Sequence, residues 1–121
     1  MLDLTKLAKS FKYAFRGFWY VFKNEQNIRI HVIVAFGVIA LMIYFQVALW
    51  QAIMLFMVIT VVIVLELINT IFEKMVDILK PRIHYYAEVI KDVMAATVLV
   101  SSIGAVVIGI LIFAPYVVEK F

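Results

Sequence analysis

Three carboxylates and an amide recur at helical spacing in the middle of this sequence. Glu66, Asn69, Glu73 and Asp77 follow directly on a largely apolar run without charge, residues 48–65. At about 100° per residue, these four side chains fall within an arc of roughly 80° on one helix face. A charged side chain at membrane depth costs roughly 3 kcal/mol or more unless a partner stabilises it. The row therefore indicates a site that binds a cation or carries out a reaction.

Other polar residues are expected at the same membrane level. Glu25 lies before the first predicted span, and Asp92 lies at the start of the third. Carboxylates from different segments suit a hard divalent cation, and Mg²⁺ usually joins protein oxygens to phosphate groups. Cationic side chains nearby are candidates for binding the phosphates of a nucleotide: Arg82, His84 and Lys91. Glu66 lies deepest and is placed to meet an alcohol dissolved in the bilayer.

Ion pairs that only hold helices together are the alternative explanation of these charges. We favour it for Lys74 with Asp77 and for Lys91 with Glu88, since such pairs are common on surfaces. For Glu66 and its neighbours on the same face we favour a function, because lipid makes unused charge expensive. His31, at a span end, is expected to be an interfacial cap without a chemical role. The glycines match neither a P-loop nor a kinase glycine-rich loop.

The composition places the chain among membrane proteins. Its 121 residues suffice for one domain, 1–121, and 67% of them are apolar, far more than in a soluble domain. Cysteine is absent, which excludes disulfides and thiolate metal sites. The polar, basic N-terminus is unlike a secretory signal. The net charge is only +3 and no nucleic-acid partner is expected.

The pattern predicts an all-α integral membrane fold with a surface helix and three transmembrane helices. Residues 4–23 form an amphipathic helix whose apolar stripe is Leu4, Leu7, Phe11, Phe15, Phe18, Trp19 and Phe22. Cations lie off the stripe, as in a helix that lies in the lipid interface; a soluble helix packed on a core is the alternative. The spans are predicted at 28–45, 49–79 and 89–113. Pro81 and Pro115 are expected to end the second and third helices, and the small residues after Asp92 to allow close helix approach.

The basic residues predict the orientation. Ten of the eleven lie before Glu25, at Arg29, or between Lys74 and Lys91. By the positive-inside rule, the N-terminus and the loop near residue 80 are therefore cytoplasmic. Because the outer halves of the spans are almost purely apolar, the pattern favours chemistry at the cytoplasmic interface over a transport pathway.

Three segments together resemble the signature of the prokaryotic diacylglycerol kinase family. The segment Glu66-x-x-Asn69-Thr70-x-x-Glu73-x-x-Val76-Asp77 is similar to its main motif, and Lys91-Asp92-x-x-Ala95-Ala96 to a second block. The run from Phe22 to His31 is similar to a third block of the family. The residues after Glu25 in this run are more like those of the undecaprenol kinase branch. The resemblance covers nearly the whole chain. The sequence departs from the family pattern at Ile83, where many members carry tyrosine, and at Thr97, where glycine or alanine is frequent.

The resemblance implies a homotrimeric lipid kinase of the bacterial inner membrane, with active sites between subunits. Such an enzyme phosphorylates a lipid alcohol, undecaprenol or diacylglycerol, with ATP and Mg²⁺. Glu66 would be the general base and Asn69 would order the site, while Glu25 and Glu73 would hold the metal. The implied ATP contacts are Lys6, Tyr13, Glu25, Glu73, Asp77, His84, Lys91 and Asp92. The alternative is a non-catalytic membrane protein or an ion-pathway subunit. No side-chain pattern identifies the preferred lipid.

Overall fold

A computed structural model describes all residues, 1–121, and contains helices and no strands. In chain order the helices are α1, Leu4–Asn24; α2, Gln26–Phe45; and α3, Leu49–Lys120. The predicted all-α class is confirmed. Helices α2 and α3 are each long and apolar enough to cross a membrane.

Helix α1 matches the predicted surface helix closely. It begins after Asp3, whose carboxylate caps it by accepting hydrogen bonds from the backbone N–H groups of Thr5 (3.0 Å) and Lys6 (3.2 Å). None of its residues is buried, and the side chains of Phe11 and Phe15 are 60% and 73% exposed. Within a single chain the apolar stripe of α1 is therefore open to lipid or to another subunit.

The hinge between α1 and α2 is a single residue. The predicted helices, 4–23 and 28–45, leave residues 24–27 between them, but α2 already begins at Gln26, and only Glu25 is extended (φ −115°, ψ 119°). The guanidinium of Arg29 donates a hydrogen bond to the carbonyl of Lys23 at 3.0 Å, which joins the two sides of the hinge. Because the hinge is so short, the position of Glu25 is fixed relative to both helices.

Helix α3 folds back on itself at Ile83, the one residue inside it with non-helical angles (φ −111°, ψ 22°). Residues 49–82 form its first arm and residues 84–120 its second arm. Lys91 and Asp77 form a hydrogen bond across the turn. Tyr116 and Gln51 form another between the ends of the two arms that lie far from the turn. In a straight helix the latter pair would lie about 98 Å apart, at about 1.5 Å per residue. The arms are therefore antiparallel.

Two predictions about the ends of these helices are wrong. The polar connection predicted at residues 82–88 is helical from residue 84 onward, and the first arm runs one residue past Pro81, to Arg82. Pro81 lies in the last turn of that arm, two residues before the reversal at Ile83, so the arm does end close to the proline, as proline in a helix predicts. Pro115 does not end the second arm, which continues to Lys120. Contacts with neighbouring helices hold that last segment in place.

Those contacts form a closed end of the bundle, opposite the Ile83 turn. The hydroxyl of Tyr116 donates to the side-chain oxygen of Gln51, and the Ala48 N–H donates to the same oxygen at 3.1 Å. The ring of Phe45, the last residue of α2, lies 6.1 Å from that of Phe113. These contacts hold the end of α2, the start of the first arm and the end of the second arm together. They lie beside the short turn at residues 46–48, which joins α2 to the first arm.

The interior of the single chain is small. Only 11 of 121 residues are buried, and most large apolar side chains are exposed. A Cβ added at Gly104 or Gly109 would meet nothing within 4 Å, so the close approach expected at these glycines does not occur within one chain. So much exposed apolar surface needs to be covered by lipid or by further subunits.

The antiparallel hairpin predicts which cysteine pairs can be cross-linked. Since the chain has no cysteine, the double variant Gln51→Cys with Tyr116→Cys should react with a short thiol cross-linker within one chain, seen as a mobility shift of the monomer on a denaturing gel. The matched pair Gln51→Cys with Lys91→Cys should not react within one chain, because residue 91 lies near the turn. Equal reaction of both pairs would contradict the hairpin.

Candidate active site

The polar core of the protein lies on the first arm. Three polar side chains are buried, Glu66 at 2%, Asn69 at 6% and Thr70 at 4% exposure. The hydroxyl of Thr70 donates a hydrogen bond to the carbonyl of Glu66 at 3.1 Å, one turn back along the helix. Apolar side chains that are also buried, Val62 and Val76, lie on either side of the group along the arm. Polar groups occupy the very face that packs against the rest of the chain.

Glu66 has two polar neighbours on α2. Its Oε2 lies 3.5 Å from Nε2 of His31, whose side chain is 23% exposed, and the side chain of Asn27 hydrogen-bonds to its carboxylate. Oε2 accepts no hydrogen bond within normal distance. The α2–α3 packing therefore turns His31 toward the buried carboxylate, a contact that the prediction of an interfacial cap does not include.

Glu25 and Glu73 lie on the more exposed side of Glu66. The side-chain amide of Asn69 donates to Oε1 of Glu73 at 3.4 Å, and Nζ of Lys74 lies 3.9 Å from Oε1 of Glu25. Both Glu25 and Glu73 are close enough to repel the charge of Glu66. The structure thus brings together three carboxylates from the hinge and the first arm, as the sequence predicts for Glu25 and the Glu66 row.

A second cluster joins the two arms next to the turn. Nζ of Lys91 donates to Oδ1 of Asp77 at 2.5 Å. The charge of Glu73 also acts on Lys91, which connects this cluster with the first. The expected surface pairs, Lys74 with Asp77 and Lys91 with Glu88, are replaced by Lys74 with Glu25 and Lys91 with Asp77.

The other four candidate residues lie outside these clusters. Lys6, Tyr13, His84 and Asp92 are exposed, and no hydrogen bond or ion pair joins them to Glu66 or Asp77. Tyr13 is 58% exposed, and the guanidinium of Arg16 lies 5.4 Å from the centre of its ring. These side chains are accessible from water, but within one chain they do not form a common site with the carboxylates.

An apolar groove runs between α1 and the first arm. Phe11, Phe15 and Phe18 line it on the α1 side. The facing wall consists of side chains from the first arm: Leu67, Thr70, Ile71, Lys74, Met75 and Ile78. Since Leu67 and Thr70 flank the buried Glu66 and Asn69 in sequence, the groove runs beside the polar core.

The donor set is suited to a magnesium ion bound together with phosphate. No three His, Cys, Asp or Glu side chains converge as in a cage formed by protein alone. Mg²⁺ does not need such a cage, because it typically takes one or two carboxylates plus substrate phosphates and water. Glu25 and Glu73, both half-buried and from separate elements, supply hard oxygen ligands of that kind.

Sequence comparison points to one family. The family model for prokaryotic diacylglycerol kinase matches residues 12–113. An undecaprenol kinase of Bacillus subtilis (strain 168) is 32% identical over 113 residues, which cover 93% of this chain and 92% of the relative. A diacylglycerol kinase of Synechocystis sp. is 34% identical over 104 residues, which cover 85% of this chain and 59% of the relative. Both relatives are lipid kinases by name.

Proposed function

The chain belongs to the prokaryotic diacylglycerol kinase family of integral membrane proteins, and we propose that it transfers the γ-phosphoryl group of ATP to the hydroxyl of a membrane lipid alcohol. The alternative, a non-catalytic or ion-pathway protein, is not favoured, because the relatives that match over most of this chain are kinases. The single observation in the structure that supports a catalytic role is Glu66, a carboxylate 2% exposed inside an apolar bundle.

In the proposed reaction, the lipid hydroxyl oxygen attacks the γ-phosphorus and the bond from that phosphorus to the bridging oxygen of ADP breaks. The hydroxyl proton passes to the carboxylate of Glu66. Such a base contributes by orienting the nucleophile and by removing its proton in the transition state. Asn69 supports this step indirectly, because its amide donates to Glu73 one turn away.

Glu25 and Glu73 are the proposed ligands of Mg²⁺, which when bound neutralises charge on the phosphate oxygens. Lys74 already pairs with Glu25 at 3.9 Å, so its half-exposed side chain would move aside for the cation. Asp77, Lys91 and Asp92 are proposed to bind ATP at the turn, on the water side of the carboxylates. Lys6, Tyr13 and His84 are exposed and are proposed to reach the nucleotide from the same side.

The membrane arrangement follows from the distribution of charge and apolar surface. We place the N-terminus and the Ile83 turn on the cytoplasmic side of the bacterial inner membrane, because ten of the eleven basic residues lie at that end. The spans are then α2, the first arm and the second arm. A homotrimer with sites between subunits would cover the exposed apolar faces and the open surface at Gly104. It would also let exposed residues of one subunit complete the site of another.

The lipid alcohol is undecaprenol or diacylglycerol, one for each of the two similar relatives. Both present a hydroxyl at the interface and long apolar chains. Phosphate transfer from radiolabelled ATP to each lipid, in the same mixed micelles, tests the function and distinguishes the two substrates.

Glu66→Gln should abolish most of the turnover while leaving the protein folded. The amide keeps the volume and polarity of the side chain but cannot take a proton, so kcat should fall by about 10²- to 10⁴-fold. Steady-state kinetics with both lipids, together with size-exclusion chromatography in detergent, measures this. Near-normal turnover in the variant would remove Glu66 from the role of base.

Glu25→Ala and Glu73→Ala should each raise the magnesium concentration needed for half-maximal activity by at least about tenfold. Loss of an outer partner of a metal ligand already costs about 10- to 100-fold in affinity, and a direct ligand should cost no less. Glu88→Ala, an exposed carboxylate near the turn, is the matched control and should have no effect.

A mixing experiment on these variants tests whether the metal site joins two subunits. If the two carboxylates come from neighbouring chains, mixed oligomers of the two variants should regain part of the activity at a magnesium concentration too low for either variant alone, because some interfaces carry both carboxylates. Unchanged magnesium dependence in both single variants would argue against either residue as a ligand.

The groove between α1 and the first arm should admit the lipid. A long-chain alcohol stays in the bilayer and must reach Glu66 from the side. Phe15→Ser with Phe18→Ser should therefore raise KM for the lipid more than KM for ATP, because both rings line the groove. Leu4→Ser with Leu7→Ser, on the same stripe but outside the groove, is the control. An increase in KM for ATP alone would instead make α1 a cover of the nucleotide.

A further inference from the structure

Glu66 on the first arm meets two polar side chains of α2, Asn27, which hydrogen-bonds to its carboxylate, and His31. Nε2 of His31 lies 3.5 Å from Oε2 of Glu66. His31 also lies among the residues that line an apolar cavity between α2 and both arms, together with Val34, Leu55 and Val62. The histidine thus stands at the boundary between an apolar cavity and the buried carboxylate.

The surroundings of Glu66 leave its carboxylate in need of a partner. The side chain is 2% exposed, and Oε2 has no hydrogen-bond donor within normal distance. Glu25 and Glu73 both repel its charge, whereas His31 attracts it and the side chain of Asn27 hydrogen-bonds to it. A carboxylate oxygen out of water is costly unless a donor satisfies it, and Oε2 still lacks one.

We propose that His31 is a positioning residue for the reaction, whose Nε2–H donates to Oε2 of Glu66 and thereby aims Oε1 at the lipid hydroxyl. The proposal rests on the function proposed above, in which Glu66 is the base. The separation of 3.5 Å is slightly longer than a hydrogen bond, and catalytic hydrogen bonds commonly shorten when the substrate complex forms. A shift of a few tenths of an ångström closes it.

The histidine suits this role better than a permanently charged residue would. Lys or Arg beside Glu66 would bind its carboxylate in a fixed ion pair and weaken it as a base, whereas the imidazole of His31 offers one N–H donor, at Nε2, to one oxygen and leaves the other available. His31 acts through Glu66 and need not touch ATP, since the groups proposed to bind ATP lie toward the turn.

Three substitutions at this position separate positioning from a merely structural role. The amide nitrogen of Gln lies as many bonds from Cα as Nε2 of His does, whereas that of Asn lies one bond nearer, and Leu has no donor. We expect His31→Asn and His31→Leu to lower kcat about 10- to 100-fold, the effect of losing a hydrogen bond to a charged group. KM for ATP should stay within about twofold. His31→Gln should keep kcat within a few fold of the original.

A double variant tests whether His31 acts through Glu66. If it does, Glu66→Gln with His31→Asn should be no slower than Glu66→Gln alone, because residues that work as a unit are not additive. Thermal unfolding in detergent accompanies each variant, and His31→Leu, which places an apolar side chain beside an apolar cavity, should stay folded.

The outcomes distinguish the two proposals. The positioning role is supported if His31→Asn and His31→Leu lose activity, His31→Gln keeps it, and the double variant is no slower than Glu66→Gln alone. Full activity in His31→Asn and His31→Leu, or a Gln variant as slow as the Asn variant, overturns it. Additive losses in the double variant overturn it as well. Activity retained in Glu66→Gln would contradict the proposed base itself, whatever the His31 variants do.

Discussion

Burial of one carboxylate in an apolar bundle is the constraint on which the rest of this structure depends. Glu66 is 2% exposed, and in lipid such a group has to be compensated locally because water cannot do it. The polar groups around it are arranged accordingly. His31 approaches from α2. Asn69 and Thr70 occupy the turn of the first arm that follows Glu66. A reaction that uses the carboxylate as a base would explain why the chain keeps so costly a group.

Two very short connections bring the site together. A single extended residue separates α1 from α2, and that residue is Glu25 itself. A single non-helical residue, Ile83, reverses α3, so that Asp77 and Lys91 meet across the turn. Short connections leave little freedom to the helices they join, and they hold the carboxylates and the lysine at one level. The departure of Ile83 from the tyrosine common in the family therefore falls at the turn itself.

A single chain does not bury enough of its apolar surface to be stable in water. Few residues are buried, and apolar side chains of α2 and both arms face outward. Polar contacts between its segments lie in the polar core and the adjoining turn, and at the closed end around Tyr116. Between them lies an apolar cavity rather than tight packing. Lipid and neighbouring subunits are the natural means of covering such faces, and the exposed nucleotide candidates agree with a site that one chain does not complete.

The sequence by itself determined the helical class of the fold and the helix face that carries the proposed site. An apolar run of membrane length followed by Glu66, Asn69 and Glu73 at helical spacing requires a helix with a polar face, whatever packs against it. The stripe of α1 and the cap at Asp3 likewise depend only on neighbouring residues, which is why the predicted and observed α1 agree within one residue. The helix end at Pro115 was predicted less well. Whether Pro115 ends a helix depends on contacts with distant residues such as Gln51, which a local pattern does not contain.

Only the tertiary structure decided which charges are partners. From spacing alone Lys74 was paired with Asp77 and Lys91 with Glu88, because these residues are neighbours on a helix. The reversal at Ile83 and the hinge at Glu25 changed both pairs, since they bring together residues far apart in sequence. The same packing turned His31 from a helix-end residue into the neighbour of Glu66. Local periodicity fixes the face on which a side chain lies, and the packing of helices fixes what that face meets.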